Sequence, residues 1–114
     1  MVGCMVFAME PFVTSGTQDF SISNDSQRQR YQASVGGELA GFIEYRPRGA
    51  HLDLVHTEVL PQFEGRGLAG RMAQFALEDA GRQGRKVIPS CSYIARYIEG
   101  HSQFQELVAP GASL

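Results

Sequence analysis

Between Gln62 and Gly70 the sequence reads QFEGRGLAG, three glycines in nine residues. Two registers overlap there. Gly65, Gly67 and Gly70 spell the G-x-G-x-x-G of a dinucleotide loop, whereas Gln62, Gly65 and Gly67 spell Q-x-x-G-x-G, a loop that grips a pyrophosphate. In either register the missing Cβ atoms let successive N–H groups curl around an anion. A helix beginning near Gly65–Gly67 would add its N-terminal partial positive charge. Arg66 and Arg71 are long enough to reach a phosphate beyond the loop. A plain strand-to-helix turn that needs glycine for close packing would use the same residues.

Other reactive side chains flank this loop. His56 and Glu58 are two apart, so on a strand they share a face and either could serve as a base, directly or through water. The alternative is a sheet histidine beside a structural carboxylate. Cys91 follows Pro89-Ser90 and opens a helical stretch, a position that lowers a thiol pKa and sharpens its nucleophilicity; the alternative is a buried, inert cysteine. Tyr93 and Tyr97, four apart, share a helical face. Three scattered histidines and no cysteine pair at ligand spacing predict no metal site. No basic aromatic surface suggests nucleic acid.

These side chains need a scaffold, and the chain of 114 residues allows one domain. With 43% hydrophobic and 19% charged residues, a packed domain is expected over disorder. A net charge of −2 gives no general attraction to nucleic acid or anionic membrane. The apolar opening MVGCMVFAMEPFV lacks a basic leader, is broken by Glu10 and is too short to span a bilayer. Residues 1–24 are expected to be a flexible extension and 25–114 the domain. Two cysteines, Cys4 and Cys91, are too few for a disulfide framework, which predicts a reducing, cytoplasmic setting.

Arg28–Val35, the turn Gly36-Gly37 and ELAGFIEYRPR read as a hairpin, with Pro47 stopping its second strand. His51–Leu60 reads as a third strand, apolar on both faces. After Pro61 the period changes: Leu68, Met72, Phe75, Ala76 and Ala80 recur at helical spacing until Gly81 and Gly84. RKVIPS is a short strand, SYIARYIEGH a short helix ended by Gly100, and SQFQELV a last turn or two. The predicted class is α+β: an antiparallel β-meander, a right-handed βαβ crossover and short C-terminal helices, in the order β-β-β-α-β-α-α. One crossover is too few for a dinucleotide fold. That fold also wants its first glycine directly after the strand and an acidic residue ending the next strand, where Pro89-Ser90 stands instead.

Strand, Q-x-x-G-x-G and apolar helix together resemble the acyl-coenzyme A signature of the GNAT acetyltransferases. GELAGFIEYR, HTEVLPQFEGRGLAGRM and VIPSCSYIARYIEGHSQFQELV, in that order, are similar to the small single-domain members of that family over about Arg28 to Val108; residues 1–24 fall outside. The resemblance implies a trimmed GNAT fold without the usual N-terminal helices. It implies acetyl-coenzyme A as co-substrate, no metal, and a cleft beside strand 51–60. Backbone groups of Glu58 and Val59 would pair with the pantetheine arm. N–H groups of Glu64, Gly65, Arg66, Gly67, Leu68 and Ala69 would hold the pyrophosphate, with Arg71 nearby. Cys91 would lie near the acyl group, to accept it or to line the pocket, and Tyr97 would protonate the departing thiolate. Glu58 and His56 are the base candidates. The implied function is N-acetyltransfer to an unidentified small-molecule or protein amine, by a monomer or weak homodimer without nucleic-acid or membrane partners. The competing readings are a coenzyme A-binding module with little or no catalysis, and an interaction domain whose loop binds nothing.

Overall fold

A computed structural model describes residues 20–112. Its centre is a five-stranded sheet in sequence order. Four strands form an antiparallel meander: β1 (Phe20–Asp25), β2 (Arg30–Val35), β3 (Glu38–Arg48) and β4 (His51–Val59). A 3-10 turn (Pro61–Phe63) leads to α1 (Leu68–Arg82), and β5 (Lys86–Ile88) returns parallel to β4. Then come α2 (Ser92–Glu99) and a last 3-10 segment (Ser102–Leu107). The mixed α+β class and the single crossover agree with the sequence.

Three local features differ from expectation. The first is β1, which places Phe20–Asn24 in the sheet although residues 1–24 were expected to be an extension; residues 1–19 lie outside the described residues. Phe20 and Ile22 are half-buried while Ser21 and Ser23 are exposed. This is a period-2 pattern, but two apolar residues are too faint a signal to read alone. The second is Pro47, which does not stop β3: it pairs with Leu52, and the strand runs on to Arg48. Pairing with β2 ends at Arg30 opposite Glu44, so the strand edge beside Pro47 needs no donor. The third is a bulge in β4. Glu44 faces His56 but Tyr45 faces Leu54, which leaves Val55 as the extra residue.

Gly36 and Gly37 make the expected two-residue turn between Val35 and Glu38, with φ of 59° and 83°. Both values belong to the mirror-image turn that matches strand twist. Helix α1 buries Leu68, Met72, Ala73, Ala76, Leu77 and Ala80, the stripe predicted from its spacing, with Phe75 only partly buried. All but Leu68, which packs with Ala40 and Phe63, join Tyr31, Ala33, Ile43, Tyr45, Leu52 and Leu54 of the sheet and Ile94, Ile98 and Phe104 beyond it in one core. Each large side chain so buried contributes about 1.5–3 kcal/mol. Tyr31 carries a polar group into this core, and its hydroxyl donates to Asp79 Oδ2 of α1 at 2.8 Å.

Because α1 and α2 share one core, both lie on one face of the sheet. The opposite face carries Arg30, Gln32, Phe42, Glu44, His56 and Glu58 and has no helix on it among the described residues. Strand β4 is therefore not buried on both sides throughout: Leu52, Asp53 and Leu54 are buried, but His56 and Glu58 are exposed.

Candidate active site

The site begins where β4 and β5 part. Their pairing ends at Asp53 opposite Ile88. Pro89 stops β5, and the chain turns into α2 with Cys91 as its N-cap. The Cys91 N–H donates to the Leu54 carbonyl at 2.8 Å, the last backbone tie between the two segments. Beyond it, β4 has no strand on that side.

The bulge at Val55 decides which residues meet this gap. After it, Ile43 faces Thr57 and Gly41 faces Val59. Ile43 and Gly41 are buried on the helix side, so Thr57 and Val59 point that way and His56 and Glu58 point to the open face. The Glu58 carbonyl is turned to β3, since its oxygen lies 2.7 Å from where a Cβ on Gly41 would stand. Backbone groups alternate along a strand, so those of Val59 turn to the gap.

Across from Val59 the glycine loop closes a cleft of about 290 Å³. Its walls are Val59, Phe63, Glu64, Gly65, the stretch from Gly67 to Gly70, and Tyr93. Gly65 and Gly67 have φ of 83° and 76°, left-handed conformations that favour glycine, and a Cβ at either would project into open space. Gly67 caps α1 with no side-chain hydrogen bond. The N–H groups of Leu68, Ala69 and Gly70 have no acceptor within the helix. Among the described residues, no backbone bond outside the helices and strands uses an N–H from Gly65 to Gly70. The Glu64 N–H is already donated to Pro61 at 3.3 Å. A run of free N–H groups at a helix N-terminus suits a pyrophosphate.

The two arginines part company. Arg66 is exposed on the rim, its guanidinium 5.4 Å from the Phe63 ring centre. Arg71 lies 5.1 Å over Phe20 and lines a separate groove with Ile22, Gln74, Phe75 and Glu78.

Cys91 is half-buried, and its Sγ is 3.4 Å from Thr57 Oγ1. Tyr93 stands on the cleft wall; burial raises its pKa and the nearby Cys91 adds to the rise, which keeps the phenol protonated. Tyr97 lies one turn further on, stacked on His101 with ring centres 3.9 Å apart and planes 11° apart. Burial raises the Tyr97 pKa as well. His56 Nε2 and Glu58 Oε1 are 3.1 Å apart with both side chains about half exposed. The structure thus joins Cys91 to Thr57, two residues before the cleft-wall Val59, and joins His56 to Glu58, but sets the two pairs on opposite faces of β4. Sequence reasoning passed over Thr57 and gave Tyr93 no role. Thr57 sits between the two residues that were singled out, and only the bulge turns it toward Cys91.

Among the described residues, no group of three or more His, Cys, Asp or Glu side chains is placed to hold a metal, and no helix is long and apolar enough to cross a membrane.

Comparison with known proteins adds the family. The profile of the GCN5-related N-acetyl-transferase family matches residues 30–107. Protein NATD1 of Mus musculus is 27% identical over 110 residues, covering 93% of this chain and all of that protein. That coverage takes the likeness into residues 1–24, further than the motifs reach. Protein NATD1 of Homo sapiens is 28% identical over 93 residues, 78% of this chain and 82% of that one. The solution structure of a GCN5-like protein from Staphylococcus aureus superimposes with a TM-score of 0.64 at 19% identity, over 86% of this chain and 93% of that one; at that identity the likeness concerns the fold.

Proposed function

The chain belongs to the GCN5-related N-acetyl-transferase family, and from that premise we propose that it binds acetyl-coenzyme A in the cleft and transfers the acetyl group to an amine. The observation that carries this reading is the run of N–H groups from Gly65 to Gly70 at the start of α1, beside the cleft and used by no backbone bond outside the helices and strands among the described residues. They would hold the pyrophosphate, with Arg66 at the rim. The backbone of Val59 would take the pantetheine amides as an added strand would. Acetyl-coenzyme A supplies an activated acyl group as its thioester. Cys91 would stand beside that group, either to receive it or to wall it in. The His56–Glu58 pair would take the proton of the amine arriving across the open sheet face. Tyr93 is the phenol on the cleft wall, and burial keeps it protonated, so it has a proton to give the departing thiolate; Tyr97, behind it, would pack its ring. A free thiol at Cys91 fits a reducing, cytoplasmic setting.

A second reading has an observation of its own. His56 and Glu58 lie on the face away from Cys91, and no described element walls an acceptor site over them. A coenzyme A-binding module with little catalysis would look the same.

The test is thiol release from acetyl-coenzyme A with a panel of primary amines. N-acetyltransfer predicts acetylation above the rate without protein, lost in Glu58→Gln or Cys91→Ala while coenzyme A still binds. Binding without any acetylation above that rate would favour the module.

A further inference from the structure

We infer that Thr57 is the positioning residue for Cys91, fixing its sulfur against β4 two residues before Val59 of the cleft wall. The inference rests on the reading of that cleft as an acyl site. Both backbone groups of Cys91 are committed. Its N–H donates to Leu54 at 2.8 Å, and its carbonyl accepts from the Ala95 N–H at 3.0 Å. Only the side-chain torsion is left free. As N-cap of α2, Cys91 could turn its sulfur to the free N–H groups of that helix, but it makes no such bond. The sulfur meets Thr57 Oγ1 instead, at 3.4 Å. Thr57 stands there because the bulge at Val55 shifts the alternation of β4; without it, His56 and Glu58 would face the helices.

A hydroxyl suits this position better than any apolar group. It accepts from the neutral thiol and, by rotating, donates to the thiolate, so one geometry serves both states. Should Cys91 receive the acetyl group, a bond forms from its sulfur to the acyl carbon as the bond from that carbon to the coenzyme A sulfur breaks. The proton lost by Cys91 is matched by one gained at coenzyme A, so a thiol and a thioester exchange partners. Thr57 holds the attacking sulfur and takes no part in that balance.

The test uses a Cys4→Ser background, which leaves Cys91 as the single thiol. Alkylation by iodoacetamide is followed by intact mass in the parent, Thr57→Val and Thr57→Ser, with and without coenzyme A. Reaction proceeds through the thiolate, so removing a hydrogen bond to it should slow Thr57→Val about tenfold. Thr57→Ser should stay near the parent rate, and unfolding midpoints should be similar. A Thr57→Val rate equal to the parent, or a Thr57→Ser rate as slow as Thr57→Val, overturns the inference. The coenzyme A arm is read separately. If coenzyme A fails to protect Cys91 while the order of the variants holds, the acyl-site reading falls and the Thr57–Cys91 relationship stands.

Discussion

Tyr93 stands over Gly70: a methyl group at residue 70 would lie 3.7 Å from the Tyr93 phenol oxygen. It would also lie 3.8 Å from Tyr97 Cε2. Both are ordinary contact distances, so the third glycine of the loop is spaced for alanine.

Gly70→Ala should therefore fold as well as the parent or better, by up to about 1 kcal/mol from helix propensity. Coenzyme A affinity should hardly change. Denaturant unfolding and calorimetry check both. Loss of binding in this variant alone would restore the G-x-G-x-x-G register and the dinucleotide reading with it.

Gly41 should behave in the opposite way. A Cβ there would meet the Glu58 carbonyl oxygen at 2.7 Å and Met72 Cε at 3.1 Å. The methionine can yield but the backbone of β4 cannot. Gly41→Ala should lower stability by about 2 kcal/mol or more, read as a shift in denaturant midpoint. An unchanged midpoint would show that β3 and β4 are looser here than their pairing implies.

Much of this architecture was legible because it is periodic. The stripe Leu68, Met72, Ala76, Ala80 announces α1, and Gly36-Gly37 announces its turn, since each obeys a local rule. The turn before α1 was legible for a related reason: Gly65 and Gly67 take left-handed conformations that favour glycine. What stayed hidden depends on register. Val55 looks like any strand valine, yet its extra place in β4 turns Thr57 toward Cys91 and sends His56 and Glu58 to the other face. That Tyr93 and not Tyr97 lines the cleft is hidden in the same way, because both lie on one helical face.

Tyr31 predicts how the protein fails in base. Burial is the main cause of its raised pKa, and the hydrogen bond to Asp79 adds to it. The folded state thus holds the proton more tightly than the unfolded chain does. The associated stability is complete below the ordinary tyrosine pKa of about 10 and is lost as pH rises above that value, where the unfolded chain ionises first. Alkaline unfolding should begin there, and Tyr31→Phe should flatten the decline while costing about 1 kcal/mol at neutral pH. Equal alkaline slopes in the two proteins would assign the transition to another group.

The central claim is that the backbone from Gly65 to Gly70 holds coenzyme A, and calorimetric titration of the parent and Gly67→Val tests it most directly. Valine at Gly67 must adopt a φ of 76° or reshape the loop. The account predicts that coenzyme A binds the parent, that NAD does not, and that the same ligand at 100 times its Kd adds about 2.7 kcal/mol of stability. It predicts that Gly67→Val stays largely folded and loses that binding. Gly67→Val binding coenzyme A as tightly per folded molecule as the parent, or a parent that binds NAD and not coenzyme A, would contradict it.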